Sequence, residues 1–180
     1  MELIFTTTNE YKIKSADSVL SRYGINVAGR EVEVPELQTS DPEEVIKDKV
    51  AKCYEIVKQP LIAMDSGLFI EPLGGFPGVY TKYALKTLGE DGLINLTKHI
   101  SPCPAYVQRM IGYTDGFIIK TFSSRGYGEI IPEKRGENGM NYDLIFYVPS
   151  EGKTLAELTH EQQVAVWGDA WDNLALYLTS

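Results

Sequence analysis

An aspartate that closes an apolar run, Leu61-Ile62-Ala63-Met64-Asp65-Ser66-Gly67, is placed to bind a metal ion or to activate water, and Gly67 would let the backbone turn sharply. An Asx-turn acceptor in a strand connection explains the same residues. Near the N-terminus, Phe5-Thr6-Thr7-Thr8-Asn9-Glu10-Tyr11-Lys12 puts hydroxyls, an amide and a lysine at the start of a helix, where donors and positive charge suit an anion. A helix cap beside a surface lysine accounts for it equally well. Gly74-Gly75-Phe76-Pro77-Gly78-Val79-Tyr80-Thr81-Lys82-Tyr83 makes an aromatic-bearing loop that leads to a second lysine at a helix start. It reads as an anion-binding wall or as a tight turn. In Gly136-Glu137-Asn138-Gly139-Met140-Asn141-Tyr142-Asp143, the Tyr142 ring could stack on a planar group and Asp143 could accept from N–H donors. The plainer reading is a polar loop before a strand.

The elements that must position these residues follow from periodicity. Glu2–Thr6 reads as a buried strand. Ile13, Ala16, Val19, Leu20 and Tyr23 form one helix face that Gly24 stops. Residues 25–34 look like a second strand, broken by Pro35. Asp41-Pro42-Glu43-Glu44 is a helix start with its cap, N1 proline and first-turn acids, and Val45, Ile46, Lys49, Val50, Cys53, Ile56 and Val57 carry the helix to Pro60. Cys53 falls on the apolar face. A strand over 61–64 ends at Asp65-Ser66-Gly67 and the extended pattern resumes at Leu68. A helical stretch ends near Ile100, and residues 104–122 alternate around Thr114-Asp115-Gly116 as a hairpin. Leu144–Val148 is a further strand, Thr154 to Glu157 a capping box, and one helix runs from about His160 to Leu178. The mixture of helices and hairpins argues for a mixed α/β sheet in a single domain spanning 1–180.

Composition narrows the partners. Seventeen Lys and Arg against 25 Asp and Glu give a formal charge of −8, which argues against nucleic-acid binding through a broad basic face. A small polyanion remains available to an acidic chain when a few lysines are focused at one place and a divalent cation bridges like charges. No apolar run approaches the roughly 18 residues of a membrane span. The N-terminal residues lack signal-peptide features, and two cysteines are too few for a disulfide framework. The expectation is a soluble cytoplasmic protein with no membrane partner.

Taken in order, the four stretches resemble the inosine triphosphate pyrophosphatase family. The likeness runs from Thr6 to about Glu157. Its most specific part is Asp65-Ser66-Gly67 followed by Gly74 to Tyr83; Thr8-Asn9-x-x-Lys12, Pro35-Glu36-Leu37-Gln38 and Lys153 to Leu158 add to it. The resemblance implies an elongated mixed β-sheet with helices and two lobes flanking a central active-site cleft, in a homodimer. It implies Mg²⁺-dependent hydrolysis of a nucleoside or deoxynucleoside triphosphate to the monophosphate and pyrophosphate, with Mn²⁺ as a substitute metal. By position, Thr7, Thr8, Asn9, Lys12, Ser66 and Lys82 would bind phosphate. Glu36 and Asp65 would hold the metal, with Asp65 also the base for the attacking water.

The base-recognition half departs from that pattern. The aromatic pair that grips the base becomes Met140-Asn141-Tyr142-Asp143. The family's Lys and Ser-His-Arg on the last helix become Gln163 and Trp167-Gly168-Asp169. Loss of positive donors implies an altered base preference on a non-standard or modified base, with Met140, Tyr142, Asp143, Gln163, Trp167 and Asp169 as the base-facing set. Trp167 and Trp171 equally suit a core-facing helix. A catalytically silent nucleotide-binding protein on the same fold is the alternative.

Overall fold

The computed structural model describes residues 2–139 and 141–180. The mixed α/β expectation is met by an eight-stranded sheet in the order β2-β1-β3-β5-β6-β7-β8, with β4 paired to β3, and five helices. The strands are β1 Glu2–Phe5, β2 Asn26–Gly29, β3 Leu61–Ile70, β4 Pro77–Gly78, β5 Pro104–Thr114, β6 Ile119–Ile130, β7 Phe146–Val148 and β8 Lys153–Thr154. The helices are α1 Glu10–Leu20, α2 Pro42–Val57, α3 Thr81–Thr97, α4 His160–Val166 and α5 Ala170–Thr179. β1 pairs in parallel with β2 and β3, whereas β3–β4, β6–β7 and β7–β8 are antiparallel. No helix among the described residues is long and apolar enough to cross a membrane.

The chain forms two compact units. One comprises the chain up to Asp65, Arg109–Ser124 and Asp169–Ser180. In it Ile46, Val50, Cys53, Leu61, Ala63 and Met110 form a buried cluster against which Ile4, Val32 and Val34 pack. Burial pushes the Cys53 thiol up, which keeps it protonated and suits its core role. Trp171, fully buried, sets its ring edge-on to Phe5 at 5.7 Å and donates to Ser15 Oγ at 3.3 Å. The other unit comprises Ser66–Gln108 and Arg125–Gly168, with a core of Leu68, Ile70, Leu93, Val107, Ile145, Phe146 and Leu155 among others.

Four elements differ from the sequence reading. The second strand stops at Gly29 rather than running to residue 34: Arg30 N–H still donates to Phe5 O at 2.8 Å, and Val32 and Val34 then pack on the α2 cluster instead of pairing. The strand at 61–64 does not end at Asp65. It continues without a turn to Ile70, buried at both ends and half-exposed only at Asp65 and Ser66. Residues 141–144 form a 3₁₀ turn, so the strand predicted from Leu144 begins at Phe146. The C-terminal helix is broken in two because Gly168 takes φ 72°, a left-handed conformation that stops α4 before α5 begins.

Gly67 therefore serves close approach and not turning. A Cβ there would lie 2.5 Å from the Gly78 carbonyl oxygen of the paired strand β4. Gly67→Ala should destabilise the protein by about 1–3 kcal/mol in urea unfolding. Wild-type stability in that variant would show that β3 and β4 can part at no cost.

Candidate functional site

The N-terminal stretch is organised first as a helix cap. Asn9 Oδ1 accepts from the backbone N–H of Tyr11 at 3.0 Å and of Lys12 at 3.3 Å, and Thr7 Oγ1 accepts from Asn9 N–H at 3.2 Å. Thr8 is exposed and Thr7 half-buried. The cap fixes where α1 starts, and so where Lys12, in its first turn, emerges.

Lys12 runs to β3. Its Nζ donates to Met64 O at 3.1 Å and stands 3.9 Å from Asp65 Oδ1. From α2, Lys49 Nζ stands 3.9 Å from Asp65 Oδ2. Each carboxylate oxygen thus has one ammonium beside it, at charge-pairing range but beyond hydrogen-bond length. About a third of the Asp65 side chain stays open, and about a quarter of each lysine's. Two cations beside one partly open carboxylate hold positive potential where an anion or a proton-transfer partner can approach.

Lys49 was not among the expected site residues. The visible signal was a lysine inside the apolar register of α2, one position from Val50 and three from Ile46. A lysine there must bury its stem and carry its head to the edge of the core. The edge it reaches is Asp65.

Glu36 is exposed in the irregular segment that precedes α2. Its neighbour Pro35 offers its carbonyl to Lys52 Nζ at 3.0 Å. Lys52 lies one turn beyond Lys49, so α2 anchors the Glu36 segment and contacts Asp65 from adjacent turns. Among the described residues no three His, Cys, Asp or Glu side chains group closely enough to hold a metal. Glu36 and Asp65 would offer the hard carboxylate oxygens that Mg²⁺ prefers, an ion that takes one or two carboxylates and keeps waters or substrate oxygens for the rest.

In the second unit, Lys82 is exposed at the second residue of α3. Thr81 fixes that helix start: its hydroxyl donates to Gly78 O at 2.6 Å and accepts from Leu68 N–H at 2.8 Å. Gly74, Gly75 and Gly78 all take positive φ, which is the conformational reason for so much glycine in this loop. Ser66 is half-buried on β3.

The six residues expected to face the base divide. Met140 lies outside the described residues. Tyr142 and Asp143 sit in the 3₁₀ turn 141–144, with Tyr142 packed on the core of its unit. Gln163 Nε2 donates to Leu155 O at 2.7 Å and Asn138 O at 3.0 Å. Trp167 caps the end of α4 and packs, half-buried, on the same core as Tyr142. Asp169 is exposed at the start of α5 and makes no side-chain cap bond there. The core-facing reading holds fully for Trp171, and for Trp167 in part.

Comparison with known proteins places this geometry in context. The model of the Ham1 family matches residues 3–175. The dITP/XTP pyrophosphatase of Methanopyrus kandleri is 38% identical over 167 residues, covering 92% of this chain and 89% of that one. The enzyme of the same name from Pyrococcus horikoshii matches at the same identity and coverage. A solved HAM1 protein from Coxiella burnetii superposes with TM-score 0.86 at 25% identity, covering 99% of this chain and 98% of that chain.

The cap makes a separable prediction. Asn9→Ala should lower unfolding free energy by about 1 kcal/mol, whereas Asn9→Asp, which keeps the acceptor, should stay within about 0.5 kcal/mol of wild type in the same denaturation assay.

Proposed function

We propose that this chain, which belongs to the Ham1 family, is a nucleoside triphosphate pyrophosphatase that cleaves between the α- and β-phosphates. The observation that carries the reading is the Asp65 carboxylate with Lys12 and Lys49 each 3.9 Å away. The names of the relatives, dITP/XTP pyrophosphatases, support the same reaction class. In this reading Asp65 takes a proton from the attacking water, whose oxygen bonds to the α-phosphorus as the bond to the leaving pyrophosphate breaks. Lys12 and Lys49 neutralise phosphate charge and keep the carboxylate oriented. Thr7, Thr8 and Asn9, at the α1 N-terminus, and Ser66 and Lys82 are assigned phosphate contacts.

Glu36 and Asp65 are the residues that would hold Mg²⁺. When bound, the ion supplies neutralisation of phosphate charge and polarisation of the reacting phosphoryl group. A homodimer in the cytoplasm is the setting that goes with this reading.

The base preference is proposed to differ from that of a 6-oxo purine site. Positive donors are missing from the segment 163–169, and Gln163 directs its amide hydrogens to backbone carbonyls. A site that lacks the donors matching a particular base edge loses its power to select that edge.

The test is a panel of ITP, XTP, dITP, dUTP and the standard and modified dNTPs with Mg²⁺, following pyrophosphate and monophosphate. Release from several bases is expected, with EDTA abolishing it. Asp65→Asn should cut kcat at least about a hundredfold with an unchanged circular dichroism spectrum. Activity confined to ITP, XTP and dITP would overturn the altered preference. Binding without release from any nucleotide would overturn the enzyme.

A further inference from the structure

Gln163 occupies the fourth residue of α4, directly after a capping box in which Thr159 Oγ1 accepts from Gln162 N–H and Gln162 Oε1 accepts from Thr159 N–H. The box fixes the first turn of α4, and from that fixed turn Gln163 reaches sideways. Its amide carries two hydrogens, and two carbonyls receive them: Leu155 O at 2.7 Å and Asn138 O at 3.0 Å. Leu155 belongs to a 3₁₀ turn that is itself tied by Thr154 N–H donating to Glu157 Oε2 at 2.8 Å. Asn138 belongs to an irregular limb held against that turn, with Glu137 and Asn138 N–H both donating to Ala156 O at 3.1 and 2.8 Å. Gly136, at φ 91°, sits so close to Ala156 that no Cβ would fit.

Gly139, which follows Asn138, is backed against Asp143: a Cβ there would lie 2.7 Å from Asp143 Cβ and 2.9 Å from its Oδ2. The position of Asn138 thus sets that of Gly139, which lies against the Asp143 side chain in the turn that carries Tyr142. We infer that Gln163 is a positioning residue for nucleobase recognition, acting through Asn138, Gly139 and Asp143 and not by touching the base. This rests on the reading above in which Tyr142 and Asp143 face the base. A side chain with both N–H groups committed to backbone carbonyls, one of them part-buried, cannot redirect them without giving up those bonds.

The isosteric variant Gln163→Glu removes both donors and sets a carboxylate against two carbonyl oxygens. Gln163→Lys restores a group able to donate to both. Calorimetric titration with the α,β-methylene analogues of dITP and dATP, and with inorganic tripolyphosphate as a base-free probe, separates the roles. Gln163→Glu should weaken whichever analogue the wild type binds by about tenfold and raise KM for the matching nucleotide alike, with kcat within about twofold. Tripolyphosphate affinity should not change, and Gln163→Lys should recover most of the loss. Unchanged nucleotide affinity in Gln163→Glu, an equal loss for tripolyphosphate, or no recovery in Gln163→Lys would each overturn the positioning role. A wild-type chain that binds tripolyphosphate but neither analogue would instead overturn the base-facing reading on which it stands.

Discussion

A carboxylate in the middle of a buried strand is a constraint that other elements must answer. β3 is buried over its first four and last four residues and opens only at Asp65 and Ser66. A charge in that position loses part of its hydration, and the loss must be offset by opposite charge or hydrogen bonds. Lys12 and Lys49 answer it from two different helices, one to each oxygen. As partly exposed ion pairs they add little net stability. Their effect is to gather positive charge around an acid on a rigid element, which is what phosphate chemistry requires of a site.

The helices that deliver those lysines owe their placement to short-range capping. Asn9 starts α1 so that Lys12 reaches Met64 O, and Asp41, accepting from Glu43 N–H at 2.8 Å, starts α2 so that Lys49 and Lys52 point towards β3 and the Pro35 carbonyl. Parallel pairing of β1 with β3 sets Phe5 opposite Ile62, and Thr6 N–H and Oγ1 extend that pairing by donating to Ile62 O. The turn from β1 into α1 is thus bonded to the strand that carries the acid. The capping residues are close in sequence to what they cap; the acid and its lysines are brought together over separations of 53 and 16 positions.

That distinction explains what could be read from the sequence. A cap within Thr7–Asn9, the cap at Asp41, the Thr154–Glu157 box, the hairpin at Asp115 and the core role of Cys53 depend on neighbours a few residues away and were legible, although which of the three residues caps α1 was not. Asp65-Ser66-Gly67 looked like a strand end because Asp, Ser and Gly favour turns; the strand instead runs through them to pair with β4 at Leu68 and Phe69, and only the three-dimensional approach of Gly78 reveals why residue 67 is glycine. The break at Gly168 was hidden because a lone glycine within helical periodicity is tolerated often enough to be passed over. Lys49 stood out as a lysine within an apolar stripe, but the stripe gives no hint of what its ammonium will reach. The residues assigned to phosphate and metal keep the spacing of the family motifs, and those motifs are what nominate them. The residues assigned to the base do not keep it, and there the structure supplies contacts, such as those of Gln163, that no motif encodes.

The central proposal is that Asp65, with Glu36, would hold a cation beside the two lysines. Anomalous diffraction from a crystal of this chain grown with Mn²⁺ and a non-hydrolysable triphosphate tests it most directly. The account predicts a manganese peak within about 2.3 Å of an Asp65 carboxylate oxygen, with Glu36 as a second protein ligand and the Lys12 and Lys49 ammonium groups against phosphate oxygens. A metal bound elsewhere, or a triphosphate seated away from Asp65, would contradict it.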